Sequence, residues 1–208
     1  MGVVALIDYG SGNLRSVEKA LAAAGGEVRT TDDAEIIRAA ERIVLPGQGA
    51  FADCMNGLAA RPGVIEAMTE AVRTRGAPFL GICVGMQLLA DKGLEFQETN
   101  GLGWIGGVCR PLDRSDPAIR IPHMGWNAAK IARPHKVLDA LAPHTHMFFM
   151  HSFIHDPADK ADVAASTDHG ETFASAIARD NLVGVQFHPE KSQAMGLALL
   201  TRFLEWRP

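Results

Sequence analysis

Two short segments carry side chains whose types and spacing suit nucleophilic catalysis. In Pro78-Phe-Leu-Gly81-Ile-Cys83-Val-Gly85-Met-Gln87 an apolar run enters Gly-x-Cys-x-Gly and then a helical pattern. This is the layout of a nucleophile elbow, with sulfur where a serine oxygen would stand. A sharp strand-to-helix turn strains the nucleophile's backbone and crowds its neighbours, so glycines on both sides remove Cβ atoms that would collide. A cysteine at a helix N-terminus also meets unpaired N–H groups and the positive end of the helix dipole, which favour its thiolate. The N–H of Val84 is then placed to receive an oxyanion. A buried cysteine at an ordinary strand-to-helix junction would show the same pattern, so the motif needs a partner.

Val183-Gly-Val-Gln-Phe-His188-Pro-Glu190 supplies one: a strand that ends in a histidine, with a carboxylate two residues on. In an extended segment those two side chains point to the same side, and Pro189 stiffens the link. A thiol nucleophile needs a base to take and return its proton, and the base needs a third group to hold its tautomer and orientation. Cys83, His188 and Glu190 are therefore the expected catalytic residues. A strand-ending turn with a solvated carboxylate would explain His-Pro-Glu alone, but not its coincidence with the elbow.

Other chemistries find less support. Gly10-Ser-Gly12 after the first apolar run, with Asp32 about 20 residues on, resembles a dinucleotide fingerprint, but Arg15 occupies the third glycine position. Histidines gather at His144, His146, His151 and His155, yet no carboxylate or cysteine set completes a ligand spacing, so neither metal nor cofactor is expected. The net charge of -4, with no run of like charges, gives no reason to invoke nucleic acid or an anionic membrane. Cys54, Cys83 and Cys109 are an odd count without C-x-x-C spacing, which suits a reducing compartment. The apolar start, Met1 to Ile7, meets Asp8 too early for a signal h-region or a membrane span, so a cytoplasmic location is expected.

The elements that must position these residues alternate between strand and helix, the pattern of an α/β fold whose mostly parallel central sheet has helices on both faces. At 208 residues, 47% of them apolar, the chain predicts a single domain over 1–208. Val3–Ile7, Glu27–Thr31, Ile43–Leu45 and Phe79–Ile82 read as strands, the third stopped by Pro46-Gly47. Helices are expected from Leu14 to Ala24, ended by Gly25-Gly26, over 34–40 with Asp32 or Asp33 as cap, from Val64 to Arg75 and from Val84 to Lys92. Beyond residue 93 additional strands dominate, at Trp104–Arg110, Met147–Ile154, Phe173–Ala178 and Leu182–Phe187. Helices are expected there only near 135–142 and from Gln193 to Trp206.

With these motifs in place the sequence resembles the class I, triad-type glutamine amidotransferases, whose elbow cysteine and His-x-Glu pair match Cys83, His188 and Glu190. Asp8-Tyr-Gly-Ser-Gly-Asn13-Leu14, Leu45-Pro-Gly-Gln-Gly-Ala-Phe51, Pro122-His-Met-Gly-Trp-Asn127 and His188-Pro-Glu-Lys-Ser192 look like the glutaminase-subunit family of imidazole glycerol phosphate synthases. The resemblance covers nearly the whole chain, and His-Met-Gly-Trp-Asn is its best discriminator. It implies a flavodoxin-like fold and hydrolysis of glutamine through a cysteine thioester. The ammonia would pass to a (β/α)₈ cyclase subunit held as a heterodimer partner, which makes imidazole glycerol phosphate and an aminoimidazole carboxamide ribotide. Val84 and Gln48 would supply the oxyanion donors, Gln48 from a Gly47-Gln48-Gly49 loop whose peptide must rotate under control of partner and ligand. Gly47, Gly49, Gln87 and the backbone around His151-Ser152-Phe153 would hold glutamine. Asn13, Trp126, Phe148 and Lys191 would meet the cyclase. The alternatives are a sister glutaminase of pyridoxal phosphate or anthranilate synthesis, separable by which ammonia acceptor restores activity, and a catalytically silent binding subunit, which would have no need of an intact triad.

Overall fold

The computed structural model describes residues 2–142 and 145–208; His144 lies outside the described residues. Its first half lays down β1 (Val3–Ile7), α1 (Leu14–Ala23), β2 (Glu27–Thr31), α2 (Ala34–Ala39), β3 (Arg42–Gly47), α3 (Phe51–Ala59), α4 (Val64–Thr69), β4 (Phe79–Cys83) and α5 (Val84–Gln87). The second half adds β5 (Lys92–Gly93), β6 (Thr99–Asn100), β7 (Gly107–Pro111), β8 (His123–Ile131), β9 (Thr145–His151), β10 (Phe153–Pro157), β11 (Val163–His169), β12 (Glu171–Arg179), β13 (Leu182–Val185) and α6 (Gln193–Glu205).

The large sheet has the order β2-β1-β3-β4-β13-β12-β11-β8-β9. Its first five strands are parallel neighbours, and the last four extend the sheet in antiparallel pairings. The parallel part has the order of a doubly wound, flavodoxin-like fold. Right-handed crossovers to opposite sides of β1 place α1 and α2 on opposite faces. Strands covered on both faces must be apolar throughout, and β3, β4 and β13 are buried at every position. In such sheets ligands bind beyond the carboxyl ends of the strands, where β3 leads to Gln48, β4 ends in Cys83 and β13 leads to His188. A small sheet, β10-β7-β5-β6, lies alongside.

Several expectations change. The helix expected from Val84 to Lys92 is a single turn, because the backbone of 102–105 folds onto it and donates to the carbonyls of Leu88, Leu89 and Ala90 that a longer helix would use. The carbonyls thus bind Leu102, Gly103, Trp104 and Ile105, and the strand expected from Trp104 begins only at Gly107. The run Met147–Ile154 is two strands in different sheets, parted at Ser152, whose carbonyl accepts from Leu112. Residues 136–140 form turns instead of a helix, with Val137, Leu138 and Leu141 buried. β3 runs on through Pro46 and Gly47, which pair with Ile82 and Cys83. The helix after Val64 changes to a π turn over Glu70–Thr74. Helix α3 and strands β8 and β11 were not expected from the sequence.

Candidate active site

Cys83 closes β4 at φ 55° and ψ −112°, a left-handed conformation that non-glycine residues adopt only under constraint. The constraint is close packing of backbone on backbone. A Cβ on Gly85 would stand 1.9 Å from the Leu45 carbonyl oxygen, and one on Gly81 would stand 2.5 Å from that of Gly85. The elbow is therefore pressed against β3 at a distance that only glycine allows. Because α5 is one turn long, the dipole expected at Cys83 is that of a single turn, and the local N–H groups matter more than a helix axis.

His188 follows β13 and lies on the same cavity as Cys83. Its Nδ1 is 2.8 Å from Glu190 Oε1, with both side chains almost fully buried. The link is not extended as expected: Pro189–Lys191 is a 3₁₀ turn that folds the carboxylate back onto the ring. Ser192 locks the turn: its Oγ donates to the His188 carbonyl at 2.7 Å and accepts from Phe148 N–H at 3.0 Å. His188 N–H donates to the Phe148 carbonyl, fixing the histidine to β9. Burial alone would lower the pKa of His188, but Cys83 and Glu190 outweigh it and lift the imidazole to about 9. Nε2, the ring atom left for the thiol, is buried with no other hydrogen-bond partner among the described residues.

The cavity, of about 140 Å³, is also bounded by Gln48, Gly49, Val84, Gln87, Glu95, Met150, His151, Ser152 and Phe153. Of the residues expected to bind glutamine or its oxyanion, Gly47 alone falls outside this lining, and of the expected catalytic residues Glu190 stands behind His188. Gly47 pairs with Cys83 across β3 and β4, and a Cβ there would meet Gly85 N at 2.6 Å, so it seats the elbow. Gln48 is exposed, and its carbonyl accepts from the Ser11 hydroxyl and from Cys54 Sγ at 3.5 Å. Gln87 is buried: its Nε2 donates to the Phe153 carbonyl at 2.8 Å and to Gln186 Oε1 at 3.1 Å.

Three residues were missed by sequence reasoning. Gln186 Nε2 stands 3.7 Å from Cys83 Sγ. The period-two rule that linked His188 to Glu190 applies equally to Gln186 and His188, so its signal was present. Glu95 brings a carboxylate to the cavity and is tied by a 2.8 Å bond from Phe51 N–H, a link across 44 residues that no local pattern announces. Ser192, at the end of the quoted motif, had no role until its two bonds were seen.

Of the four expected interface residues, three converge. Trp126 stands opposite Phe148 in the β8–β9 register, their rings edge to face at 6.1 Å, and Lys191 Nζ lies 5.9 Å from the Phe148 ring. Trp126 is on strand β8, and with Met124 it forms an exposed stripe. Asn13 is exposed at the start of α1, where its side chain caps nothing. Among the described residues no group of three or more His, Cys, Asp or Glu is arranged to hold a metal ion, and no helix is long and apolar enough to cross a membrane.

Known proteins share this sequence and fold. The family model for class-I glutamine amidotransferases matches residues 5–205. The imidazole glycerol phosphate synthase subunit HisH of Caulobacter vibrioides is 55% identical over the whole of both chains, and that of Rhodospirillum rubrum is 53% identical over 99% of each. A solved structure described as a glutamine amidotransferase superposes with a TM-score of 0.75 at 18% identity, covering 98% of each chain, which speaks to the fold alone.

Proposed function

The chain belongs to the class-I glutamine amidotransferase family, and on that premise we propose the chemistry that its cavity performs and the roles of the residues around it. It is a glutamine amidotransferase of the kind found as a subunit of imidazole glycerol phosphate synthase, in histidine biosynthesis. The observation that carries the assignment of roles is the meeting of a strained cysteine and a carboxylate-held histidine on one small cavity.

His188 Nε2 takes the Cys83 thiol proton, and the sulfur then attacks the side-chain amide carbon of glutamine. Collapse of the tetrahedral intermediate sends that proton to the departing nitrogen, leaving a glutamyl thioester and ammonia. His188 Nε2 then takes a proton from water as its oxygen attacks the thioester carbon, and returns that proton to Cys83 Sγ as glutamate leaves. Glu190 keeps Nδ1 protonated and, together with the Cys83 sulfur, balances the imidazolium, so the ring is held well above its ordinary pKa. Val84 N–H and Gln48 N–H serve the oxyanion. Glu95 offers the charge that the substrate's α-ammonium needs, and Gln87 with the Ser152 backbone orients the rest. The ammonia acceptor is a cyclase subunit of (β/α)₈ fold, docked on the face formed by Met124, Trp126, Phe148 and Lys191.

Glutamate release from glutamine by the purified chain, alone and then with the cyclase subunit and its ribotide ligand, tests this reading. Strong stimulation by the pair is expected. High activity without them would keep the glutaminase and reject partner control, and inactivity in both would remove the assigned chemistry.

A further inference from the structure

His123 and His151 are both buried, and neither has a part in the mechanism above. His151 Nδ1 lies 3.0 Å from the Phe153 carbonyl, which can only accept, so that nitrogen carries the proton. His151 Nε2 is then an acceptor. Its partner at 2.9 Å, His123 Nδ1, must donate, and His123 Nε2 in turn accepts from Asn127 Nδ2 at 3.1 Å. Burial pushes His123 down to about 4, with the neighbouring His169 acting in the same direction, and burial with His123 pushes His151 down to about 3. Both rings therefore stay neutral near pH 7, and the donors run one way, from β8 to the cavity wall. The Phe153 carbonyl that ends the run is shared with Gln87 Nε2, which reaches Gln186, whose amide faces Cys83 Sγ.

We propose that His123 and His151 form a positioning pair for the glutamine cavity, tying strand β8 through the Phe153 carbonyl to the side-chain amides beside the nucleophile. The proposal rests on reading the cavity as the glutamine site. A core histidine pair filling space would need no fixed direction of donation. This one ends on the acceptor that also holds Gln87, and the next residues along β8, Met124 and Trp126, turn outward with 63% and 48% of their surface exposed. The strand thus has one face tied through His151 to the cavity wall and the other on the proposed docking surface. Whatever displaces the outer face carries the His123 donor with it.

His123→Leu and His123→Asn separate positioning from packing. Both lose the ring stacked against Phe149 and His169, but asparagine keeps an amide N–H near where Nδ1 stood. In the complex with cyclase subunit and ligand, the leucine variant is expected to raise the KM for glutamine about tenfold, the scale of one lost buried hydrogen bond, with kcat changed less than about threefold. The asparagine variant is expected to stay within about threefold of wild type. Ring ¹⁵N NMR of the wild-type chain at neutral pH should show both histidines as neutral Nδ1–H tautomers. Equal KM changes in the two variants, or a charged or Nε2–H ring at either position, would overturn the pair's role. A wild-type complex inert towards glutamine would overturn the reading of the cavity itself, and the pair's role with it.

Discussion

A cysteine at φ 55° carries about 1–3 kcal/mol of backbone strain, and it persists because glycine contacts on both sides leave the turn no other path. The strain presents Sγ to the cavity, so removing the sulfur should remove the chemistry while sparing the scaffold. Cys83→Ala is expected to abolish glutamine-dependent synthesis in the complex and to leave synthesis from free ammonium intact. Loss of both activities would count against a dedicated glutaminase. Glu190→Gln keeps the shape of the triad but not the charge, and kcat should fall by about 10²- to 10⁴-fold. It should also change the pH dependence of folding. His188 binds its proton more tightly folded than unfolded, so its stabilisation is complete below about 6.5 and is lost as pH rises through about 9. Because Glu190 supports that proton, the stability gap between wild type and Glu190→Gln, on the order of 1 kcal/mol, should narrow between those pH values. Urea midpoints recorded across that range would show it; a constant gap would mean that Glu190 does not hold the proton.

At the scale of elements, the parallel half of the sheet was readable because strands buried on both faces leave continuous apolar runs, as in β1, β3 and β4. The meeting of Cys83, His188 and Glu190 was readable for a related reason: each of the two motifs is local, and the sheet alone brings them together. What escaped depends on contacts distant in sequence. β8, with its mixed burial and interspersed polar residues, has no clean alternation, and the helix after Cys83 is cut short by a loop that begins at Leu102, well beyond the end of α5 at Gln87. Glu95 reaches the cavity only through such a contact. Two substitutions test the elements that hold the nucleophile. Gly85→Ala forces a methyl group to within 1.9 Å of the Leu45 carbonyl and should cost about 3 kcal/mol or more, seen as a lower urea midpoint, with activity lost alongside. Gln48→Pro removes the N–H proposed as the second oxyanion donor. It should lower turnover by about 10²- to 10³-fold while glutamine affinity changes little, and unchanged turnover would place that donor elsewhere.

Across the whole molecule, the nucleophile lies close beneath one exposed surface. The Met150 carbonyl is 3.9 Å from Cys83 Sγ, and Met150 pairs in register with Met124, whose side chain is 63% exposed. The β8–β9 layer thus lies between Cys83 and the proposed docking face, and the same layer carries Trp126 and Phe148. Large apolar side chains are not left together on a surface without cost, and aromatic residues beside a cation are the composition of an interface anchor. Trp126 is half exposed and touches Phe148 only edge to face, so its removal should cost the isolated chain little stability. Trp126→Ala should instead weaken binding of the cyclase subunit by about 2 kcal/mol, roughly thirtyfold in Kd, measured by titration calorimetry. Stimulated glutaminase activity at limiting partner should fall in parallel and recover when partner is in excess, because the triad itself is untouched. A lowered Tm with unchanged Kd would return Trp126 to the packing of its own sheet and move the docking surface away from β8.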